Sequence, residues 1–217
     1  MATLARLEAL ARAAGVAVLG GFHPGSGDGA PERCGTLLLL GPDGPDFWEA
    51  FAASPERRDG APDPLDRWSE RVIGALAAPL GAEALFPFGG PPFVPFTRWA
   101  RRSGSAWKSP VGLLVHARLG LFVSYRGALA LSERLELPPP GVRPCDACPK
   151  PCLAACPVGA LGGRGYDLAA CHAFLDTVPG WDCLGRGCAV RRACPVGQGR
   201  QPEAQSAFHM AAFHGRQ

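Results

Sequence analysis

The pattern of apolar and polar positions predicts a mixed α+β chain. Leu4 and Leu7 recur at helical spacing after Thr3, which is a suitable N-cap, and residues 16–19 form a short strand pattern. The run at residues 36–40 is apolar without interruption, as expected for a central strand that is buried on both faces. The first part of the chain is therefore predicted to contain both helices and strands.

Two further helix starts carry recognisable capping signals. Asp46, followed three residues later by Glu49, predicts a short helix through Phe51. Asp63 is predicted to cap a longer helix in which Pro64 takes the first helical position. Apolar residues line one face of this longer helix: Leu65, Trp68, Val72 and Leu76.

The middle of the chain contains an irregular aromatic loop and a predicted strand pair. Residues 86–96 hold four Pro and two Gly, which exclude regular structure, and their four Phe must pack somewhere. Two interpretations stay open: a lid on the core, or one wall of a pocket for a flat cofactor, with Phe93 in that wall. Residues 111–116 and 120–131 predict two strands around a turn at residues 117–120.

Composition narrows the class of protein. No apolar stretch reaches the ~18 residues of a membrane-spanning helix. The N-terminus lacks the basic and apolar regions of a signal peptide, so a cytoplasmic protein with no membrane partner is expected.

Charge is unevenly distributed along the chain. Residues 1–85 hold twelve acids and seven bases, a net charge of −5, whereas residues 86–132 hold six bases and no acid. The acid-free segment predicts a positive surface or pocket that faces an anion, such as a cofactor phosphate or an acidic partner. A solvated basic face is the alternative.

Cysteine spacing is the strongest chemical signal in the sequence. Eight of the nine cysteines fall between residues 145 and 194, and both runs close with Cys-Pro-Val-Gly. Closely spaced cysteines that end in Cys-Pro are the bacterial pattern for two 4Fe–4S clusters, each held by four thiolates. Structural zinc and disulfides are the competing interpretations. The predicted metal ligands are Cys145, Cys148, Cys152, Cys156, Cys171, Cys183, Cys188 and Cys194.

The fourth cysteine of a run in such ferredoxins binds the other cluster. This rule predicts one ligand group of Cys145, Cys148, Cys152 and Cys194. The other group is predicted to be Cys156, Cys171, Cys183 and Cys188. The spacing between Cys148 and Cys152 is one residue longer than the common one, so a locally altered loop is expected there. Cys34 is left over and is expected to be a small buried residue.

Two blocks of the sequence resemble a known family. The segment His116-Ala-Arg-Leu-Gly, followed by Phe122-Val-Ser-Tyr-Arg-Gly-Ala, resembles cobalamin-processing proteins of the cobalamin C type. The Asp63-Pro-Leu-Asp helix start and the exit at residues 135–140 fit the same pattern. Together with the cysteine region, the chain resembles the epoxyqueuosine reductase family, which joins such a corrinoid-binding module to a two-cluster ferredoxin module.

The resemblance implies a fold and a set of cofactor-binding residues. The fold class would be α+β: a nitroreductase-related (cobalamin C-type) α/β sandwich followed by a small ferredoxin-like two-cluster domain. The domains would be residues 1–139, which bind the cofactor, 140–200, which hold the clusters, and a C-terminal helical tail at 201–217. Residues expected at the corrinoid are His116, Tyr125, Arg126 and Phe93.

The resemblance also implies a function, with alternatives. We expect an iron–sulfur oxidoreductase in which two 4Fe–4S clusters pass electrons to cobalamin, with a flavin as a less favoured cofactor. The acid that donates a proton in epoxyqueuosine reductase has no counterpart in residues 86–132, so a different substrate is expected. The alternatives are a two-cluster electron carrier and a cobalamin-processing or trafficking protein. Expected partners are a flavodoxin or ferredoxin reductase as electron donor and a small-molecule or corrinoid substrate, but no nucleic acid.

Overall fold

The computed structural model describes residues 3–163 and 165–215 and has a mixed α+β fold with small antiparallel sheets, which confirms the predicted class. The α-helices are α1 (Leu4–Ala13), α2 (Pro45–Ala52), α3 (Pro55–Arg58), α4 (Pro64–Ala77), α5 (Phe96–Arg102), α6 (Leu168–Leu175), α7 (Trp181–Arg186), α8 (Ala189–Arg192) and α9 (Glu203–Phe213). The strands are β1 (Ala17–Phe22), β2 (Thr36–Gly41), β3 (Glu83–Leu85), β4 (Ala106–Lys108), β5 (Leu114–His116), β6 (Gly127–Leu131), β7 (Leu161–Gly162) and β8 (Gly165–Tyr166). Short 3-10 turns occur at Ala78–Leu80 and Pro151–Leu153.

The chain divides into two units that interleave along the sequence. The first unit comprises Met1–Ala106 and Ser124–Gly141, and the second comprises Trp107–Val123 and Val142–Gln217. The segment from Trp107 to Val123 therefore groups with the cysteine-bearing residues. The predicted functional domains at 1–139, 140–200 and 201–217 stay a prediction.

The first unit is built on a four-stranded antiparallel sheet with the order β1-β2-β6-β3. Strand β2 lies inside this sheet, with Leu38 opposite Leu129 of β6, and it is buried along its whole length. A strand that is paired on both edges and covered on both faces favours apolar side chains. Its polar residue, Thr36, is hydrogen-bonded through its hydroxyl to the backbone of Glu133 and Leu135. The apolar run at residues 36–40 thus predicted a central buried strand, and the prediction is confirmed.

Helix α4 is the principal helix of the first unit, and its buried face includes Trp68 and Ile73. Pro64 occupies the first turn as predicted, but the Asp63 side chain makes no capping hydrogen bond. Asp63 instead adopts left-handed backbone geometry with φ 51°. The predicted cap at Asp46 is also wrong, because Pro45 fixes the start of α2 and Asp46 falls within the first turn.

The predicted strand pair at residues 111–116 and 120–131 is wrong as a hairpin. Strand β5 pairs with β4, whereas β6 pairs with β2 and β3 in the first unit. A single bridge between His116 and Gly120 closes the turn. The apolar pattern of residues 111–131 was sufficient to predict that strands occur there. It could not predict which strands pair, because apolar residues suit any buried strand edge.

The second unit consists of short helices and the small hairpin of β7 and β8. Helix α9 packs against α7, and Ser206 of α9 comes so near Gly187 that a Cβ there would lie 2.9 Å from the Ser206 Cβ. Helix α8 lies against the 3-10 turn at Pro151–Leu153. The C-terminal helix is therefore an integral part of the second unit.

Candidate metal centre

The four cysteines of the first predicted ligand group influence one another electrostatically. Burial raises the pKa of the Cys152 thiol, and negative charge on Cys194, Cys145 and Cys148 raises it further. Burial also raises the pKa of Cys145, where the Arg143 guanidinium acts in the opposite direction. Such coupling requires the thiols to lie near one another, although three of them come from one run and the fourth from the end of the next.

The remaining four cysteines form a second set of the same kind. Burial raises the pKa of Cys171, the Tyr166 hydroxyl lowers it, and charge on Cys188, Cys156 and Cys183 raises it again. The two sets have the same members as the two predicted ligand groups. Their assignment as cluster ligands stays a prediction.

An apolar wall packs against cysteines of both sets. Cys152 and Cys194 belong to one buried cluster of side chains, and Cys145, Cys156 and Cys188 pack against it while partly buried. The segment between Trp107 and Val123 contributes Val111, Val115 and Leu121 to the buried part of this wall. Leu161 of β7 and Val190 of α8 complete it. Sequence reasoning placed this segment in another domain and missed the wall.

The lengthened spacing between Cys148 and Cys152 has a structural explanation. Lys150 lies between two prolines, adopts φ 59°, and donates its backbone N–H to the Cys148 Sγ over 3.3 Å. Because Pro149 and Pro151 have no N–H, Lys150 is the one residue of the insertion that can make this bond. The predicted altered loop therefore delivers a hydrogen-bond donor to a sulfur.

The second set receives a side-chain donor. The Tyr166 hydroxyl, on β8, donates to the Cys171 Sγ over 3.4 Å. Burial is the largest of the effects that raise the pKa of Tyr166, so this hydroxyl keeps its proton. Donors of this kind suit a sulfur that carries negative charge, which is the state of a metal ligand. Sequence reasoning missed Tyr166, because no local pattern indicates which hydroxyl meets a given sulfur.

The two Cys-Pro-Val-Gly motifs end in glycines with positive φ, 64° at Gly159 and 78° at Gly197. Gly197 packs against the backbone of Leu119. In return, a Cβ on Gly120 would meet the Val196 carbonyl and would lie 2.9 Å from the Cys194 Sγ. The backbone of the turn after His116 thus packs directly against the backbone of the loop after Cys194.

All nine cysteines are free thiols, and none is joined in a disulfide. Within residues 3–163 and 165–215, no three His, Cys, Asp or Glu side chains converge closely enough to hold a single metal ion. Cys34 lies in the first unit and is partly buried, where full burial was expected, and burial raises the pKa of its thiol.

His116 is buried in the second unit, where 2% of its surface is exposed. Its Nδ1 accepts the backbone N–H groups of Arg118, at 3.1 Å, and of Leu119, at 3.3 Å. In a neutral imidazole this arrangement leaves the proton on Nε2. The geometry therefore gives His116 a role in closing the turn, and its predicted role at a corrinoid stays a prediction.

Arg126 is held inside the first unit. Its guanidinium pairs with Asp66 and donates to the Ser69 hydroxyl over 3.1 Å, both on α4. It also lies 5.2 Å from the centre of the Phe88 ring. Burial lowers the pKa of Arg126, and Asp66 acts in the opposite direction. The side chain predicted to face a cofactor phosphate already has an internal carboxylate partner.

Tyr125 and Phe93 have opposite surroundings. Tyr125 is 9% exposed, and its buried hydroxyl has no hydrogen-bond partner among the described residues. Burial raises the pKa of this hydroxyl. Phe93 is 68% exposed in the Pro-rich loop, whereas Phe96, the first residue of α5, is buried. The Phe93 ring is therefore accessible, and both interpretations of the loop stay predictions.

The basic segment is partly neutralised within the first unit. Arg102 pairs with Asp28 at 3.2 Å, and Arg126 pairs with Asp66. In both pairs the carboxylate comes from the acidic first 85 residues. Some arginines of the basic segment thus form ion pairs with carboxylates of the acidic segment inside the first unit. Neither sequence interpretation, an anion-binding surface or a solvated basic face, included such pairs.

A cleft of about 550 Å³ opens in the first unit beside α4. Arg12, Trp68 and Arg71 are among its lining residues, and none of the predicted cofactor-binding residues is among them.

Comparisons with known proteins returned no match to any family model, to any curated protein or to any solved structure. Within the described residues, no helix has both the length and the apolar character needed to cross a membrane.

Proposed function

We propose that this chain is an iron–sulfur redox protein whose second unit holds two 4Fe–4S clusters. The observation that carries the proposal is the separation of eight cysteines into two coupled sets of four. Cys145, Cys148, Cys152 and Cys194 would hold one cluster, which we call the first cluster. Cys156, Cys171, Cys183 and Cys188 would hold the other, which we call the second cluster. When bound, each cluster supplies a site that takes up and releases one electron.

The surroundings of the sulfurs fit this assignment. The Lys150 N–H and the Tyr166 hydroxyl donate to sulfur, and such bonds tune cluster potentials. The apolar wall around Cys152 and Cys194 limits access of water to the first cluster. Four thiolates are the ligand set of one 4Fe–4S cluster, so each set has the number of sulfurs that one cluster requires.

The electron acceptor that we propose is a corrinoid, which makes the protein a reductase. Support comes from the sequence block around residues 116–128, from the exposed Phe93 and from the unpartnered hydroxyl of Tyr125. The accessible Phe93 ring is a suitable contact for a large flat cofactor, and the Tyr125 hydroxyl is a donor still without a partner. The finer fold that we propose is the nitroreductase-related sandwich with its ferredoxin-like partner. A flavodoxin or ferredoxin reductase is the proposed electron donor.

Metal and sulfide analysis of protein purified without oxygen tests the cluster proposal. We expect about eight iron and eight sulfide per chain. Cys152→Ser should abolish the first cluster and leave about four iron, and Cys183→Ser should do the same for the second. Cys34→Ser is the matched control and should leave the iron content unchanged. Zinc in place of iron in the anaerobic protein would refute the proposal.

Titration of the same protein with cobalamin tests the acceptor. We expect a change in the corrinoid absorbance on binding and conversion to a lower cobalt oxidation state when a one-electron reductant is added. If protein with eight iron retains no corrinoid and causes no spectral change, an electron carrier without its own substrate becomes the better assignment. Binding without turnover would favour a cobalamin-processing or trafficking protein.

A further inference from the structure

Two aromatic side chains of the second unit stack on each other and remain open to solvent. The ring centroids of Tyr166 and Phe213 are 6.1 Å apart, and the two ring planes differ by only 11°. Tyr166 is 41% exposed and Phe213 is 37% exposed. Because burial of an aromatic ring is favourable, a ring pair at the surface is suited to contact with another molecule.

The end of α9 holds the Phe213 ring in a fixed position. The His172 ring of α6 lies 4.6 Å from the Phe213 ring. The next residue, His214, ties α9 to α6, since its Nδ1 is 2.8 Å from the His172 Nδ1 and its Nε2 donates to Asp176 over 2.9 Å. A side chain that is ordered before contact loses little conformational entropy on binding. The ring pair is therefore a preorganised surface.

The ring pair is connected directly to the second set of cysteines. The Tyr166 hydroxyl donates to the Cys171 Sγ over 3.4 Å, so one side chain reaches from the surface to a sulfur of the proposed second cluster. At the first set, the Lys150 backbone N–H donates to the Cys148 Sγ and brings no ring with it. In residues 3–163 and 165–215, contact between an exposed ring and a cysteine sulfur is thus a feature of the second set.

The size of the exposed pair limits what it can bind. The two rings together expose on the order of 150 Å². A stable protein complex buries about 800 Å² on each partner, whereas electron-transfer encounters are smaller. The pair therefore suits a brief contact with one flat ring. The ring of a reduced flavin is flat, stacks on aromatic side chains and gives up single electrons.

We propose that electrons enter the second cluster at the Tyr166–Phe213 pair, and that the donor is the flat ring of a reduced flavin. This inference rests on the proposed function and adds an entry site and a class of donor to it. The flavin loses one electron and the second cluster gains it, and any proton that the oxidised flavin releases goes to water. No bond of the protein forms or breaks. The two rings position the donor and are neither oxidised nor reduced.

Stopped-flow reduction of the anaerobic full-chain protein tests the proposal. Reduced FMN and reduced flavodoxin are the flat donors, and dithionite is the donor without a ring. Cys152→Ser protein assigns the signal of the second cluster. We expect Phe213→Leu to slow reduction by both flavin donors about tenfold, which is the effect of losing one aromatic stacking contact. The rate with dithionite should not change.

The two flavin donors distinguish the source of the flavin. A slower reaction of Phe213→Leu with flavodoxin alone would assign the site to a flavin that a protein carries, and a slower reaction with both would assign it to the ring itself. Binding gives a readout without electron transfer. Oxidised flavodoxin, which has no electron to give, should bind the unaltered protein more tightly than Phe213→Leu in a calorimetric titration.

Two variants serve as controls. Phe213→Tyr keeps an aromatic ring and should keep the rates of the unaltered protein. Trp181→Leu removes another ring of the second unit, one that is 60% exposed, and should leave the flavin rates unchanged. Slower reaction with flavin in Trp181→Leu but not in Phe213→Leu would overturn the proposal, because the donor would then meet α7.

Unchanged flavin rates in Phe213→Leu, at full iron content, would also overturn the proposal. An equal slowing with dithionite would do so too, because dithionite has no ring to stack. If Phe213→Leu loses iron, Phe213→Met takes its place, and loss of iron there as well would show that the ring is structural. Absence of iron from the unaltered protein would instead refute the proposed function itself.

Discussion

The Tyr166 hydroxyl donates a hydrogen bond to the Sγ of Cys171 over 3.4 Å. A donor to a ligand sulfur stabilises the more negative form of a cluster. Tyr166→Phe should therefore lower the potential of the second cluster by up to about 40 mV, the equivalent for one electron of a hydrogen bond worth about 1 kcal/mol. A redox titration gives the value. The potential of the first cluster should not change.

Phe213 provides the control for the Tyr166 experiment. Its ring stacks on the Tyr166 ring, with centroids 6.1 Å apart. Phe213→Leu removes the stacking partner and keeps the hydroxyl, so the potential should stay at its original value. A shift as large as that of Tyr166→Phe would show that packing, and not the hydrogen bond, controls the second cluster.

Gly120→Ala and Gly159→Ala form a matched pair. Both glycines have positive φ, 56° and 64°, and an alanine there costs about 1–2 kcal/mol of backbone strain. Only at Gly120 would the new Cβ also meet Val196 and the Cys194 Sγ, whereas the space at Gly159 is open. We expect Gly120→Ala to lose a further 1–3 kcal/mol, roughly, and to bind less iron. Denaturant unfolding and iron analysis give both values, and equal losses in the two variants would contradict the packing of this turn.

Arg126→Ala should destabilise the first unit more than it weakens any ligand. The change leaves the half-exposed Asp66 and the buried Ser69 without their partner, at a cost of roughly 1–3 kcal/mol. Arg101→Ala, on the exposed side of α5, should cost less than about 0.5 kcal/mol. Thermal unfolding measures both. If Arg126→Ala unfolds normally but no longer binds cobalamin, the Asp66 pair is not the main role of this arginine.

The carboxyl group of Glu56 should make the stability of the first unit depend on pH. The Arg71 side chain, hydrogen-bonded to Glu56, lowers the pKa of this carboxyl from 4.5 to about 2. Because the folded pKa is depressed, the stabilisation is complete above pH ~4.5 and is lost as the pH falls towards ~2. Glu56→Gln should therefore unfold a few degrees earlier at pH 7, since an ion pair with a half-exposed arginine contributes about 1 kcal/mol.

The difference in melting temperature between the original protein and Glu56→Gln should shrink as the pH falls from 4.5 towards 2, because Glu56 then begins to take up the proton that makes it neutral like glutamine. Circular dichroism at a series of pH values follows it. A difference that stays constant over this range would show that the Glu56 charge does not stabilise the fold.

The variant His116→Ala distinguishes between two roles of His116, one in closing the turn and one as a ligand of cobalt. Because the His116 Nδ1 accepts two backbone N–H groups, its loss should lower the melting temperature of the protein. The absorbance of added cobalamin should be the same as with the unaltered protein. A changed cobalt spectrum would instead assign His116 to the corrinoid.

Local chemistry explains why several elements could be predicted from the sequence. A run such as residues 36–40 has one stable environment, the inside of a sheet, so β2 was predictable. Pro64 can take few positions in a helix besides the first turn, so the start of α4 was predictable too. The spacing of the cysteines also predicted which thiols lie in each set of four, whereas their role as cluster ligands stays a prediction.

Contacts between distant segments were decided by the tertiary structure. The apolar residues of 111–131 fit several strand edges, and the fold divides them between two units. Arg126 and Asp66 are 60 residues apart, so no local pattern shows that the basic segment meets its carboxylates within the first unit. The sequence by itself determined which residues carry sulfur chemistry, because spacing is a local property. Only the tertiary structure determined what surrounds each sulfur, from Tyr166 at Cys171 to the Gly120 turn beside Cys194, because those neighbours depend on how short helices and turns pack.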